Sequence, residues 1–125
     1  DIIDEIKIFF AHSVEMALRC GVKEENIILD PGIGFGKTAA QNVIVLHRLQ
    51  ELTSALPFPF LMGASRKGFI GQILDLPVTE RMEGTAAVTM WAQMAGCSIM
   101  RVHDVKPVSR MTKVMDVLQE GTING

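Results

Sequence analysis

Four segments of the chain carry apolar residues at every third or fourth position, which is the spacing of one face of an α-helix. Glycine commonly follows the end of a helix, and Gly21 follows the first of these segments. The first stripe consists of Ile2, Ile6, Phe9, Phe10, Ala17 and Leu18. The pattern predicts helices over residues 1–20, 43–52, 79–96 and 107–121. We expect Thr79 to be an N-cap and Pro107 to occupy the first position of the last helix.

Three shorter runs are apolar at consecutive positions and end in polar residues, which is typical of strands that are buried on both faces. Strands that alternate with helices indicate right-handed crossovers and a parallel sheet. The polar positions Asp30, Ser65 and Arg101 are 35 and 36 residues apart, as successive strand–helix units would be. The predicted strands are residues 26–30, 58–65 and 98–104.

The length of the chain limits how these units can assemble. Its 125 residues suffice for one small domain, whereas a barrel of eight strand–helix units needs roughly 250 residues. Three parallel strands alone would leave two bare sheet edges. We therefore predict an α/β fold that is a partial (β/α)8 barrel, formed by the last three strand–helix units and a preceding helix. Residues 1–125 would be the C-terminal portion of one domain, with its N-terminal half outside this chain.

Composition excludes several classes of protein. Hydrophobic residues make up 48% of the chain, charged residues 21%, and the net charge is −2, which argues against nucleic acid as a partner. No apolar run is long enough to span a membrane, and the N-terminus lacks the basic start of a signal peptide. Cys20 and Cys97 have no metal-binding spacing. We predict buried thiols in a reducing cytoplasm, and a disulfide between them stays open.

Basic and polar residues gather where the predicted strands end, which is the edge at which parallel sheets and barrels bind ligands. An acidic protein that concentrates cations at one edge favours an anionic substrate such as a phosphate ester. The residues concerned are Asp30, Gly34, Phe35, Lys37, Gly63, Ser65, Arg66, Lys67, Arg101, His103, Asp104 and Lys106.

The loop after the first strand has the sequence PGIGFGK, residues 31–37. A carboxylate buried at a strand end needs a partner, so Asp30 is a candidate acceptor for paired N–H groups of a heterocycle. A turn cap or an ion pair with Lys67 is the structural alternative. The glycines at 32, 34 and 36 would let the backbone approach a ligand, or would simply form a turn. Phe35 would stack on something flat, or plug a neighbouring loop.

Gly36, Lys37 and Thr38 also resemble the end of a Walker A loop, G-x-x-x-x-G-K-[ST]. The first glycine of that motif would fall at Pro31, which has no N–H to donate to a phosphate. A nucleotide triphosphatase is therefore the weakest alternative, and it predicts ATP binding that depends on Lys37.

The loop predicted after the second strand, residues 66–71, and the end of the third strand supply the remaining candidates. Arg66 and Lys67 can pair with phosphate or carboxylate, or be solvated surface charges. Arg101 and His103 are two residues apart, so they point to one face of a strand. Together they would form a diphosphate clamp, and a salt bridge to Asp104 or Asp30 is the structural alternative.

Three motifs resemble the signatures of the dihydropteroate synthase family, in that family's order and spacing. They are DPGIGFGK (30–37), GASRKGFIG (63–71) and RVHDV (101–105). The resemblance covers essentially the whole chain and implies a folate-biosynthesis transferase on a barrel, a sulfonamide target. Such enzymes join 6-hydroxymethyl-7,8-dihydropterin diphosphate to 4-aminobenzoate and release diphosphate.

The resemblance also implies roles for individual residues. Asp30, Gly63 and Lys67 would bind the pterin; Phe35, Ser65 and Lys67 would contact the aminobenzoate; Arg101 and His103 would hold the diphosphate; Gly34, Gly36 and Arg66 would support the loops. The protein would position its substrates and neutralise the leaving group, with no covalent nucleophile. Mg²⁺ is implied as cofactor, with its ligand in the N-terminal half. A homodimer through the last helices is implied as well.

Two further hypotheses remain. A pterin-binding methyltransferase domain would keep Asp30 and the barrel without needing the diphosphate clamp. A non-catalytic interaction module would bind no pterin even when the missing half is supplied. If the synthase interpretation is correct, we expect the chain by itself to have little or no activity.

Overall fold

The computed structural model of the protein describes residues 1–123, which form a mostly helical α/β chain around a small parallel sheet. The α-helices are α1 (Ile2–Arg19), α2 (Ala39–His47), α3 (Leu49–Ala55), α4 (Gly68–Leu74), α5 (Met82–Met94) and α6 (Val105–Glu120). The strands are β1 (Leu61–Met62) and β2 (Ile99–Met100), and short 3-10 turns occupy Glu24–Asn26 and Val78–Glu80.

Local chemistry explains where several helices begin and end. The side chain of Asp1 accepts the N–H of Ile3 at 2.8 Å, which caps α1. Thr38 and Gln41 form a reciprocal capping box at the start of α2. Gly121 takes a φ of +79° and ends α6, as the sequence predicted. The predicted first and last helices are therefore confirmed.

The second predicted helix is wrong in one respect, because it is broken into α2 and α3 at Arg48. This residue has a φ of −103°. Its guanidinium pairs with Asp1 at 2.8 Å and with Glu51 at 2.7 Å. Arg48 therefore connects the junction of α2 and α3 to the N-terminus of α1.

The strands pair in parallel as predicted, with Leu61 opposite Ile99 and Met62 opposite Met100. They are shorter than predicted, with two residues each. The first predicted strand is reduced to a single parallel bridge between Leu29 and Phe60. Within residues 1–123, β2 pairs with β1 alone, so one edge of β2 is open.

Three predicted element ends are also wrong. The predicted loop over residues 66–71 becomes helical from Gly68 onwards. Thr79 lies inside the 3-10 turn instead of capping a helix, and Arg81 precedes α5. Pro107 occupies the third position of α6, where its missing N–H still costs no helical hydrogen bond.

The core lies between the sheet and the helices. Ile3, Leu49, Leu52 and Phe60 are at most 1% exposed. Phe10 meets Phe60 edge-on, with ring centroids 5.8 Å apart. Some predicted apolar-face positions prove exposed, namely Phe9 and Leu18 of the first stripe, Ile28 of the first predicted strand and Val43 at the start of the second predicted helix.

Both cysteines are free, so no disulfide joins them. Cys97 is buried as predicted, whereas the prediction of a buried Cys20 is wrong because this residue lies exposed just beyond α1. Over the described part of the chain, no helix is long and apolar enough to cross a membrane.

Candidate functional site

A cleft of about 470 Å³ opens at the carboxyl ends of the two strands and of the Leu29 bridge. The seven residues to which the resemblance assigns a substrate contact all line this cleft, namely Asp30, Phe35, Gly63, Ser65, Lys67, Arg101 and His103. Ile33 and Val102 complete the wall. The predicted edge also included Gly34, Lys37, Arg66, Asp104 and Lys106, which do not line the cleft. Short parallel pairing is thus sufficient to bring three distant segments of the chain together.

Ser65 and His103 form the best-connected pair in the cleft. The hydroxyl oxygen of Ser65 lies 2.7 Å from Nδ1 of His103 and accepts the backbone N–H of His103 at 3.1 Å. The direction of the contact with Nδ1 depends on the ring tautomer: the Ser65 O–H donates when the ring proton is on Nε2, and the Ser65 oxygen accepts when it is on Nδ1. In the first tautomer Nε2–H is available to an anion, and in the second the Ser65 O–H is available. In both tautomers, Ser65 fixes the ring and the backbone N–H of His103 at the wall of the cleft.

Lys67 and Phe35 both line the cleft and contact each other. The Lys67 ammonium lies 4.4 Å from the centroid of the Phe35 ring, which is cation–π distance. The side chain of Lys67 passes over Gly34, where an added Cβ would lie 3.0 Å from Cδ of Lys67. Gly34 therefore lets the two loops approach each other, and its role in supporting a ligand site stays a prediction.

Asp30 is exposed, so the prediction of a buried carboxylate is wrong. Its side chain accepts the N–H of Gly32 at 2.8 Å and forms no ion pair with Lys67. One oxygen is thus used in the local turn, while the carboxylate still faces the cleft and can accept from a ligand. Both the turn role and the ligand role are compatible with this geometry.

The side chain of Lys37 holds the glycine loop, residues 31–37, through the backbone carbonyls of that loop. Its ammonium donates to the carbonyl of Gly32 at 2.9 Å and to the carbonyl of Phe35 at 3.2 Å. Partial burial lowers the pKa of Lys37, and the nearby Asp30 carboxylate opposes this shift. The glycines at 32, 34 and 36 have φ values of +71°, +88° and +62°, so the loop needs glycine for its backbone. The geometry gives Lys37 a structural role and offers no support for the Walker A alternative.

Asn42 was missed by the sequence analysis. It is 3% exposed, and its Oδ1 atom accepts the N–H of Gly34 at 3.0 Å. The available signal was a polar side chain on the otherwise apolar face of the second helix. Asn42 therefore anchors the glycine loop to α2.

The charged groups of the second and third segments separate into a paired and an unpaired set. Arg66 pairs with Asp104 at 2.9 Å, so it supports the loop instead of lying free in solvent. Arg101 is exposed, and no side chain within residues 1–123 forms a salt bridge with it. The predicted alternative of an internal salt bridge for Arg101 is therefore wrong. A free guanidinium beside His103 leaves this end of the cleft receptive to an anion.

Residues that could hold a metal ion do not cluster in the described chain, since no group of three or more His, Cys, Asp or Glu side chains comes together. The expectation that Mg²⁺ binds elsewhere in a longer protein stays a prediction.

Comparison with known proteins defines the class to which this site belongs. The sequence profile of the pterin binding enzyme family matches residues 1–103, and the chain belongs to this family. Its relatives include the dihydropteroate synthases of Bacillus subtilis, 48% identical over 118 residues, and of Synechocystis, 50% identical over 119 residues. Each alignment covers 94% of this chain and 41% of the relative.

Solved structures give the same result. A dihydropteroate synthase from Clostridium difficile, solved in the presence of pteroic acid, superimposes with a TM-score of 0.91 at 47% identity, covering 94% of this chain and 44% of that one. A Yersinia pestis dihydropteroate synthase in a sulfonamide complex gives a TM-score of 0.93 at 36% identity, covering 98% and 44%. The chain thus spans less than half the length of each of these four proteins.

Proposed function

We propose that the complete protein carrying this chain is a dihydropteroate synthase. It would condense 6-hydroxymethyl-7,8-dihydropterin diphosphate with 4-aminobenzoate to give 7,8-dihydropteroate and diphosphate. This chain would supply the last three strand–helix units of a (β/α)8 barrel. The observation that carries the proposal is the single cleft in which residues from three separate motifs meet. The family membership and the synthase relatives support it.

The two ends of the cleft suit the two parts of the proposed reaction. Arg101 offers an unpaired fork of donors, and His103 would add a further N–H when its ring proton is on Nε2, so these two residues would neutralise a departing diphosphate. Asp30 offers a carboxylate to the N–H edge of a pterin, and the Phe35 ring and the Lys67 ammonium would border the aromatic amine. The chain would act by positioning and charge neutralisation, without a covalent intermediate.

The test is calorimetric binding of the pterin diphosphate to the complete gene product with Mg²⁺. Asp30→Asn keeps an oxygen for the Gly32 N–H but removes the negative charge, so it should abolish measurable binding. Asp75→Asn is the matched control, because Asp75 lies at the end of α4 outside the cleft and its positive φ of +54° is tolerated by Asn. Normal binding by Asp30→Asn, or none by the wild type, would overturn the proposal.

Arg101 separates the synthase from the pterin-binding methyltransferase alternative. Arg101→Ala should weaken binding of the diphosphate ester strongly and leave binding of a pterin without diphosphate nearly unchanged. Equal effects on both ligands would favour the methyltransferase. Complete absence of pterin binding would favour a non-catalytic module.

The remaining features are proposed for the complete protein on the same basis. We expect this chain alone to show little or no turnover, because less than half of the relatives' length is present. Mg²⁺ would come with residues outside this chain. A homodimer through the last helices is supported by exposed apolar side chains on α5 and α6, namely Trp91, Met94, Val114 and Leu118. Two free cysteines suit the cytoplasm.

A further inference from the structure

The turn at residues 65–67 contains a strained backbone. Arg66 has a φ of +56°, in the left-handed region that costs free energy for any residue with a Cβ atom. The Lys67 N–H closes the turn on the carbonyl of Ala64 at 3.2 Å, and the Arg66 side chain pairs with Asp104 at 2.9 Å. Neither contact uses the N–H or the carbonyl of Arg66, so these two backbone groups need other partners.

Two side chains of the α5 region hold both peptide groups of this residue. The N–H of Arg66 donates to the hydroxyl oxygen of Thr85 at 2.9 Å, and Thr85 is fully buried. The carbonyl of Arg66 accepts from Nη1 of Arg81 at 3.0 Å. Arg81 also donates Nε–H to the carbonyl of Leu76 at 3.1 Å, which fixes its guanidinium plane.

The guanidinium fits because Gly71 has no side chain. A Cβ atom at Gly71 would overlap with the guanidinium of Arg81. A glycine inside a short helix is unfavourable by intrinsic propensity, so its presence there is accounted for by the space that Arg81 needs. We call Arg81, Thr85 and Gly71 the Arg66 clamp.

The clamp lies behind the cleft and not in it, since Arg81, Thr85 and Gly71 are absent from the cleft lining. The residues on either side of Arg66 do line the cleft. Ser65 holds the His103 ring, and Lys67 lies over the Phe35 ring. A change in the φ of Arg66 would rotate one of these side chains away from the other, because φ is the hinge between them.

We propose that Arg81 and Thr85 are positioning residues. By holding Arg66 in the left-handed conformation, they keep Ser65 and Lys67 directed into the cleft at the same time. The effect on ligand affinity rests on the proposed function, whereas the effect on the loop does not.

The experiment uses the complete gene product with three threonine variants. Thr85→Val keeps the shape and removes the acceptor, and Thr85→Ser restores it. Thr89→Val is the matched control, since Thr89 is equally buried one turn further along α5 and its hydroxyl donates to the carbonyl of Thr85, away from the loop. Two readouts are measured: binding of the pterin diphosphate, and amide hydrogen exchange of the segment 64–68 in the absence of ligand.

We expect Thr85→Val to weaken binding about tenfold or more, because misplacement by a fraction of an ångström is costly at a preorganised site. It should also accelerate exchange in segment 64–68. Thr85→Ser should restore both, and Thr89→Val should change neither while lowering the melting temperature. Equal effects of Thr85→Val and Thr89→Val would overturn the proposal, since they would indicate general loosening of α5.

Two further outcomes are interpreted separately. If the wild type binds no pterin diphosphate, the proposed function fails, and hydrogen exchange alone tests the role of the Arg66 clamp. Faster exchange of Thr85→Val confined to segment 64–68 then supports that role, and unchanged exchange overturns it. If Thr85→Val does not fold, Arg81→Met replaces it, with Arg81→Lys as the conservative rescue. The same two readouts then apply, and wild-type values for Arg81→Met would overturn the proposal.

Discussion

The ammonium group of Lys67 lies 4.4 Å from the centre of the Phe35 ring, so a cation from one loop covers an aromatic ring from another. The two residues are far apart in the sequence, and each is adjacent to a backbone position with positive φ, at Gly34, Gly36 and Arg66. The contact therefore depends on two unusual loop conformations being present together. Removing the Phe35 ring would therefore also release the Lys67 side chain from this contact.

Replacing the Phe35 ring should impair ligand binding more than folding. For Phe35→Leu in the complete gene product, we expect the KM for 4-aminobenzoate to rise about tenfold, from lost stacking and lost orientation of Lys67. The melting temperature should barely change, because the ring is 69% exposed. Phe9→Leu is the matched control, with a ring that is 67% exposed outside the cleft. A similar KM for both variants would contradict the prediction.

Removing the Ser65 hydroxyl should act through His103. In Ser65→Ala, Nδ1 loses its hydrogen-bond partner and the backbone N–H of His103 loses its acceptor, so the ring is free to change tautomer and orientation. We expect affinity for inorganic diphosphate to fall about tenfold or more, since a hydrogen bond to a charged group contributes about 1.5–3 kcal/mol. Nitrogen-15 NMR of the ring should show one tautomer in the wild type and a mixture of both in Ser65→Ala.

Ser109→Ala serves as the control for that experiment, because its hydroxyl donates to the carbonyl of Lys106 on α6 and takes no part in the cleft. Unchanged diphosphate affinity in Ser65→Ala would show that His103 is oriented by other contacts.

The two cysteines should differ sharply in reactivity. Burial raises the pKa of the Cys97 thiol to about 12 from an ordinary 9.0, and the negative charge of Asp30 adds to this rise. Between pH 9.0 and about 12, the Cys97 thiol therefore keeps its proton in the folded protein and loses it in the unfolded protein. The contribution of this thiol to the free energy of unfolding is complete below pH 9 and is lost as the pH rises towards 12.

Thiol titration and alkaline unfolding both check this prediction. Of the two cysteines in this chain, Cys20 alone should react with a disulfide reagent at pH 8 while the protein is folded, and both should react in denaturant. The variant Cys97→Ala should lose less stability than the wild type between pH 9 and 12. Cys20→Ala should follow the wild type, and an identical slope in all three proteins would refute the assignment.

Gly84 should resist replacement by alanine despite lying in a helix. Alanine is favoured over glycine in helices by about 1 kcal/mol, but a Cβ atom at Gly84 would overlap with Cγ2 of Ile70, which is 2% exposed. Overpacking of this kind costs about 1–3 kcal/mol, so Gly84→Ala should lower the free energy of unfolding. Gly68→Ala is the control, since no atom lies within 4 Å of its added Cβ. It should be neutral or stabilising in denaturant unfolding.

Much of the helical framework could be predicted because its signals are local. Apolar spacing and Gly21 located α1, and Gly121 located the end of α6. The strand lengths could not be predicted. An apolar run indicates which residues are buried, but it does not show how many of them pair with a neighbouring strand. Gly71 was assigned to a loop because glycine disfavours helices. In the structure it lies within α4, where its missing side chain leaves space for the guanidinium of Arg81.

The membership of the cleft could be predicted from strand ends, but its internal connections could not. Ser65 and His103 are 38 residues apart, and their hydrogen bond depends on the register of β1 against β2. The same register places Arg66 beside Asp104. Thr85 was missed because it looks like an ordinary polar residue in a helix. Asn42 shares the apolar face of its helix, but only the folded chain shows which loop amide it accepts from.

The open edge of β2 affects how the isolated chain would behave in solution. An unpaired strand presents backbone groups that can pair with the same edge of another copy. A net charge of −2 provides little electrostatic repulsion against that encounter. The tendency of the chain to associate would therefore depend on whether this edge is covered. A segment of a longer protein that paired with the β2 edge would prevent this association, independently of any residue it brought to the cleft.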